Sequence, residues 1–330
     1  MLRIQKDKNR DFLILNLTDT HLSDGEWAPG HEKRRILEGT ITTLAERVRP
    51  DLITVSGDLS YAGNGHAYDM LAVFLDSFGI PWAPVWGNHD DQDGPEAVEA
   101  VVSRYLTHPL CLYERGPAAI GNGNYVITVE EDGRPVEGLI MMDSHDRETF
   151  TRPDGSAYED WARLLPEQIA WYREQARALS AAGCRDTAVI LHMPIYAYRE
   201  AAGAALREGI RARDVTPEEA AGADVWNPGY EEAFGLWRED ICSPPVDEGA
   251  FAAILEEGTT RHVIAGHDHT NTFVIPHRGV RLCYGLKTGT GSYWERGING
   301  GTVLRVTSEG IAEIRHEFVD IAPWEDREKA

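Results

Sequence analysis

Five short segments of this chain concentrate histidine, aspartate and asparagine: Asp19-Thr20-His21, Gly57-Asp58, Gly87-Asn88-His89-Asp90, Leu191-His192 and Gly266-His267-Asp268-His269. Imidazole, carboxylate and amide oxygen, with no cysteine among them, suit borderline divalent or trivalent ions such as Fe, Mn, Zn, Co or Ni. Each piece alone says little, because Asp-x-His and Gly-Asp arise by chance and a solitary strand-end histidine is usually structural. Together they take five of the twelve histidines. His31, His66, His108, His145, His262, His277 and His316 fall outside and read as structural or surface residues.

What unites the segments is position, since each follows an apolar strand-like run. Phe12 to Leu17 leads into Asp19, Leu52 to Ser56 into Asp58, and Trp82 to Trp86 into Asn88. Thr187 to Leu191 leads into His192, and Arg261 to Ala265 into His267. Between the first three runs, Leu37, Ile41, Leu44, Ala45 and Val48, then Ala67, Leu71, Phe74, Leu75 and Phe78, recur at helical spacing. This β-α-β-α-β rhythm predicts an α/β protein with a substantial parallel sheet, whose ligands bind beyond the carboxyl ends of the strands. If the segments are extended, residues i and i+2 point to one side, so Asp19/His21 and His267/His269 would each aim both side chains at one cleft. The glycines before Asp58, Asn88 and His267 permit sharp turns and close backbone approach.

Further β segments are expected at Tyr125 to Val129, Gly138 to Asp143, Phe273 to Ile275, Val280 to Tyr284, Thr302 to Val306 and Ile311 to Glu317, with helices from Pro166 and near Glu248 to Glu257. Regularity fades between about Pro194 and Pro245, which reads as an irregular insertion, either a lid or a solvated excursion. Without long linkers or repeats, residues 1–330 form one expected domain.

The formal net charge of −22 repels polyanions, and no Lys/Arg cluster beyond Lys33-Arg34-Arg35 offsets it, so long nucleic acid is not expected as a partner. No apolar run approaches the roughly 20 residues needed to span a bilayer, and the polar start, Met1 to Asp11, lacks a secretory signal. No membrane association is expected, and a cytoplasmic location is the default. Cys111, Cys184, Cys242 and Cys283 are widely spaced, so free or buried thiols are expected rather than a zinc site or disulfide framework. Oligomeric state is not legible.

The ordered set D-x-H, G-D, G-N-H-D, H, G-H-x-H, from Asp19 to His269, resembles the calcineurin-like metallophosphoesterases. The resemblance implies a four-layer α/β/β/α sandwich of two mixed β-sheets flanked by helices. It also implies two transition-metal ions, Fe, Mn or Zn foremost. One takes Asp19, His21 and His269, the other Asn88, His192 and His267, and Asp58 bridges them. His89 would stand beside the phosphate as proton donor or charge stabiliser, and Asp90 could orient it or point away. Gly57-Asp58-Leu59-Ser60-Tyr61, Gly266 to Asn271 and Lys287-Thr288-Gly289 are similar to the purple-acid-phosphatase-like branch. The departure is His21, where that branch's purple enzymes carry Gly and leave room for the tyrosine to bind metal. His21 and Tyr61 would compete for one coordination position. His21 is taken as the ligand and Tyr61 as its neighbour, which argues against a coloured tyrosinate–iron centre.

Two cations about 3.5–4 Å apart clamp an in-line displacement at phosphorus and turn bound water into a hydroxide nucleophile. The implied activity is hydrolysis of a small phosphate ester, a monoester foremost. A cyclic-nucleotide or other small phosphodiesterase is the alternative, and a non-catalytic metal-binding scaffold stands behind both. Tyr61, Asn64, Tyr196, Tyr293 and Trp294 lie near the motifs in sequence and are candidates for the substrate pocket, although aromatic side chains are more often simply core. Asp91 and Asp93 extend the acidic run after His89, either as a solvated loop or as a filter against highly anionic substrates.

Overall fold

The computed structural model describes residues 1–61, 65–207 and 225–326. Its strands, in chain order, are β1 (Leu2–Gln5), β2 (Phe12–Leu17), β3 (Leu52–Ser56), β4 (Trp82–Val85), β5 (Tyr125–Glu131), β6 (Arg134–Met141), β7 (Arg147–Thr151) and β8 (Ala157–Trp161). They continue with β9 (Thr187–Ile190), β10 (Thr260–Ala265), β11 (Val274–His277), β12 (Val280–Tyr284), β13 (Gly300–Thr307) and β14 (Gly310–Phe318). The helices are α1 (Glu32–Val48), α2 (His66–Asp76), α3 (Asn88–Asp91), α4 (Pro95–Tyr105), α5 (Pro166–Ala181), α6 (Ala197–Ala205) and α7 (Ala250–Glu257).

Two mixed sheets face each other. One runs β14-β13-β2-β3-β4, with β2, β3 and β4 parallel. The other runs β1-β5-β6-β9-β10-β12-β11, with β6, β9, β10 and β12 parallel. Helices α1, α2 and α4 cover the outer face of the first, and α5, α6 and α7 that of the second, which completes the four-layer sandwich. Every residue of β3, β4 and β9 is buried, as parallel strands packed on both faces require. The spacing that predicted α1 is its buried stripe: Leu37, Ile41 and Leu44 are wholly inaccessible, and each contributes about 2 kcal/mol of transfer free energy.

Several elements, α3 and α6 among them, were not read from the sequence. β1 is a short edge strand whose residues alternate in exposure, and its polar surroundings masked it. α4 starts on Pro95, and the β7–β8 hairpin is mostly polar. The described part of the 194–245 segment is no solvated excursion. It opens with α6, and Trp226, Ala233, Leu236 and Ile241 are buried in the core outside the larger sheet.

One buried polar cluster lies between the two sheets, away from the motif segments. Glu137 of β6 and Asp186, just before β9, both accept from the Ile311 backbone N–H at 3.0 and 3.1 Å. Burial, then the charge of Asp186, pushes the Glu137 carboxyl well above its ordinary value of 4.5. The unfolded chain ionises first as pH rises, while the fold retains the proton. Stability from this group is therefore complete below about pH 4.5 and declines as pH climbs toward the raised folded value. Thermal melts of Glu137→Gln, which cannot ionise, should lack this decline, gaining on the parent by on the order of 1 kcal/mol per pH unit in that window. Parallel pH profiles for the two proteins would contradict the assignment.

Candidate metal centre

The five segments meet at the carboxyl edge of the two sheets. Asp19 and His21 follow β2, Asp58 follows β3, Asn88 opens α3 after β4, His192 follows β9, and His267 and His269 follow β10. The turns are not extended, which corrects the i, i+2 expectation. Asp19, His21, Asp58 and His267 all have positive φ, at 56°, 48°, 51° and 77°. Left-handed backbone costs a non-glycine residue about 1–2 kcal/mol, so the surroundings must impose it. They do: Asp19 N–H donates to Gly57 O and His21 N–H to Asp58 O, both at 3.1 Å, lacing the β2 turn to the β3 turn. The glycines permit the close approach. A Cβ on Gly87 would lie 2.2 Å from Asp58 Oδ1, and one on Gly57 (φ +88°) would lie 2.4 Å from His192 Nδ1.

The donor atoms fall into two groups sharing Asp58: Asp19, His21, Asp58 and His269, and Asp58, His192 and His267. Asp58 Oδ2 stands 3.1 Å from His21 Nε2 and 3.2 Å from His192 Nε2. His269 Nε2 is 3.2 Å from Asp19 Oδ1 and 3.0 Å from His21 Nε2. Asn88 Oδ1 and His267 Nδ1 lie 3.2 and 3.3 Å from His192 Nε2. A carbonyl oxygen only accepts, so the Nδ1 facing one must carry a proton. His192 Nδ1 meets Ser56 O at 2.9 Å and His269 Nδ1 meets Tyr293 O at 2.7 Å. Both rings thereby turn an Nε2 lone pair inward, the outer-shell arrangement usual for metal-binding histidines. Asp19 Oδ1 is buried without a hydrogen-bond donor among the described residues. Converging lone pairs and an orphaned carboxylate oxygen fit two cations, one in each group.

Electrostatics divide the ligands. Burial alone would raise the Asp58 carboxyl, yet His192 and His21 hold it well below the carboxylate range, and His269 and His21 do the same for Asp19. Burial drives His267 down to about 3 and His269 to about 4, leaving both rings neutral as ligands must be. Against the cost of burial, Asp58 raises His21 and takes His192 to about 10, so these two rings carry the positive charge that bound cations would replace.

The sequence profile of the calcineurin-like phosphoesterases matches residues 12–271, which contain every donor just described. The chain belongs to this family. Over 273 residues it is 28% identical to an Arabidopsis thaliana protein named probable inactive purple acid phosphatase 14, covering 76% of this chain and 61% of that one. It is 24% identical to phosphatase DCR2 of Saccharomyces cerevisiae, over 98% of this chain and 54% of that one. The chain thus spans little more than half the length of these two relatives. Its fold is shared with a dimetal phosphatase from Danio rerio at a TM-score of 0.57 and 13% identity, covering 94% and 97% of the two chains.

Around these donors, the other expected residues sort themselves. The half-buried His89 ring lies 5.0 Å from that of His21 and 4.7 Å from that of Tyr61. Its Nδ1 has no hydrogen-bond partner among the described residues, and burial lowers its pKa. Its backbone N–H donates to Asp58 Oδ1 at 2.9 Å. Asp90 points away from His89. Its carboxylate accepts from Gly87 N (2.8 Å), Leu59 N (3.1 Å), Ser60 N (3.3 Å) and Tyr68 Oη (2.8 Å), so it fastens the β3 and β4 turns together. Asp91 is half-buried in a cavity with Asp143 and His145, and burial pushes its carboxyl to about 9; Asp93 is exposed.

Tyr61 is 38% exposed, and its ring packs 5.0 Å from His21 while its hydroxyl donates to Ser292 Oγ at 2.7 Å. With the phenol so engaged and His21 Nε2 in the donor cluster, the iron-loaded protein should show no intense visible tyrosinate band. A purple preparation in an absorption spectrum would contradict this arrangement. Tyr293 stacks on His269 at 4.0 Å and donates its hydroxyl to Glu239 Oε2 at 2.8 Å. Tyr196 caps the start of α6 and, among the described residues, makes no ring contact with the donors. Trp294 packs under Arg296, and Asn64 lies outside the described residues.

Sequence reasoning missed four neighbours. Lys287, wholly buried, donates to Asp19 O at 2.7 Å, and burial lowers its pKa to about 8. Glu239, from the 194–245 segment, also accepts from Thr270 N at 2.6 Å. Tyr68 carries Asp90, and Trp161 covers His267. Only Lys287 had a sequence signal, inside Lys287-Thr288-Gly289. All four cysteines are free, and no described helix is long and apolar enough to cross a membrane.

Proposed function

We propose that this phosphoesterase hydrolyses a small phosphate monoester, using two transition-metal ions held by Asp19, His21, His269 and by Asn88, His192, His267, with Asp58 between them. The observation that carries the reading is the pair of buried donor groups sharing the Asp58 carboxylate. When bound, the two ions supply an acidified water as nucleophile and neutralise charge on the phosphoryl group. The protein's own part is positioning. Ser56 O and Tyr293 O fix the imidazole tautomers, and His89 N–H fixes the Asp58 carboxylate. The His89 side chain, at the rim of the cluster, delivers a proton to the leaving oxygen or stabilises its charge.

The strong net negative charge supports a small substrate over long nucleic acid. Four unpaired thiols suit a reducing compartment, and the cytoplasm is the proposed location. The word "inactive" in the plant relative's name favours a second reading, a metal-binding scaffold without catalysis. Against it, all seven donor positions and His89 are occupied by competent side chains. The test is a panel of phosphomonoesters and a bis-aryl diester, assayed with protein reconstituted in Mn, Fe, Zn, Co and Ni. Monoester turnover with at least one metal is expected. Faster diester cleavage would make the protein a phosphodiesterase, and no turnover with any metal would favour the scaffold.

A further inference from the structure

The hairpin of β7 and β8 belongs to neither main sheet. Burial raises the carboxyl of Asp146, the residue before β7, and the charges of Arg147, His89 and Asp58 also act on it. The hairpin's return strand brings Trp161 against His267, with ring centroids 4.4 Å apart and planes at 87°. The cross-strand partner of Trp161 is Arg147, whose guanidinium carbon lies 4.1 Å from an indole ring centroid. Strand register and cation–π attraction together hold this long side chain in place.

Arg147 is exposed, and among the described residues no carboxylate lies within ion-pair distance of its guanidinium and no hydrogen bond engages it. The neighbouring arginines are occupied: Arg163 pairs with Glu148, and Arg152 donates to Ala157 O at 3.3 Å. Arg147 acts on the Asp146 carboxyl, lowering it, without contacting it. A planar fork of five donors, stacked on an aromatic ring at the mouth of the site, suits bidentate capture of an anion. In a chain of net charge −22, a second negative group on a substrate needs such a local counter-charge.

We infer that Arg147, held on Trp161, binds a second anionic group, a carboxylate or a further phosphate, on the leaving-group side of the substrate. This rests on the phosphoesterase reading above. Trp161 touches both the guanidinium and the His267 ring, so Arg147 reaches the ligand cluster through a single shared ring contact.

The test compares phenyl phosphate, 3-carboxyphenyl phosphate and 1,3-phenylene bisphosphate as substrates of the metal-loaded protein and of Arg147→Met and Arg147→Lys. The parent should favour one or both anionic esters by roughly tenfold or more in kcat/KM, chiefly through KM, as one charge-assisted contact allows. The two anionic arms identify the preferred group. Arg147→Met should bring the ratio toward one, and Arg147→Lys should keep part of it. Calorimetric binding of 3-carboxybenzylphosphonate and of benzylphosphonate gives the same comparison without turnover. No preference in the parent, or a preference that survives in Arg147→Met, overturns the role of Arg147 while leaving the phosphoesterase reading intact. A parent that cleaves none of the esters overturns that reading instead, and the phosphonate affinities then decide for or against Arg147.

Discussion

Replacing Asp58 by Asn is expected to remove most bound metal and to lower turnover by roughly 10³-fold or more. The two Asp58 oxygens have different tasks. Oδ1 accepts from His89 N–H at 2.9 Å, while Oδ2 faces His21 and His192 Nε2 at 3.1 and 3.2 Å. An amide satisfies only one of them. With its NH₂ at Oδ1, it opposes the His89 N–H, donor against donor. With its NH₂ at Oδ2, it points protons where the cations belong. In either orientation the negative charge that offsets repulsion between two cations is gone. Elemental analysis of the purified variant, beside its turnover of a monoester, is the check. An Asp58→Asn protein with two metal equivalents and parental activity would remove Asp58 from the bridging position.

Much of this centre was legible because the residue types that bind metals follow directly on apolar runs. A buried strand must end somewhere, and here each end is marked by Asp, His or Asn. The helical stripes of α1 and α2 fix where the first three strand ends fall. What the pattern could not convey was the backbone conformation there. Asp19, His21 and Asp58 read as extended continuations, yet they turn left-handed because the β2 and β3 turns hydrogen-bond to each other across 38 or so positions of sequence. Asp90 misled for a related reason. Adjacency to His89 suggests contact, but the first turn of α3 sends successive side chains in different directions, and the carboxylate finds three backbone N–H groups instead. Trp161 and Arg147 were invisible because a polar hairpin carries no periodic apolar signal, and their pairing depends on strand register. The acidic 194–245 segment hid its buried half for a similar reason: alanine-rich α6 and isolated tryptophans pack well without forming a stripe.

His89→Ala should separate metal binding from chemistry. The side chain is not among the converging donors, and its ring lies at the rim of the cluster beside His21 and Tyr61. Its backbone N–H, however, anchors Asp58, and alanine retains that N–H. Truncation therefore leaves the bridge in place and removes only the imidazole. General acid assistance contributes typically 10²–10⁴-fold, so kcat should fall on that order while metal content stays near two equivalents. The loss should shrink with substrates whose leaving groups need no proton, such as 4-nitrophenol, and grow with alkyl phosphates, because only a poor leaving group depends on the donor. That dependence distinguishes proton delivery from simple charge stabilisation of the phosphate, which would be lost equally for both esters. If metal content and turnover instead fall together in His89→Ala, the imidazole supports the structure of the site and the proton must come from elsewhere.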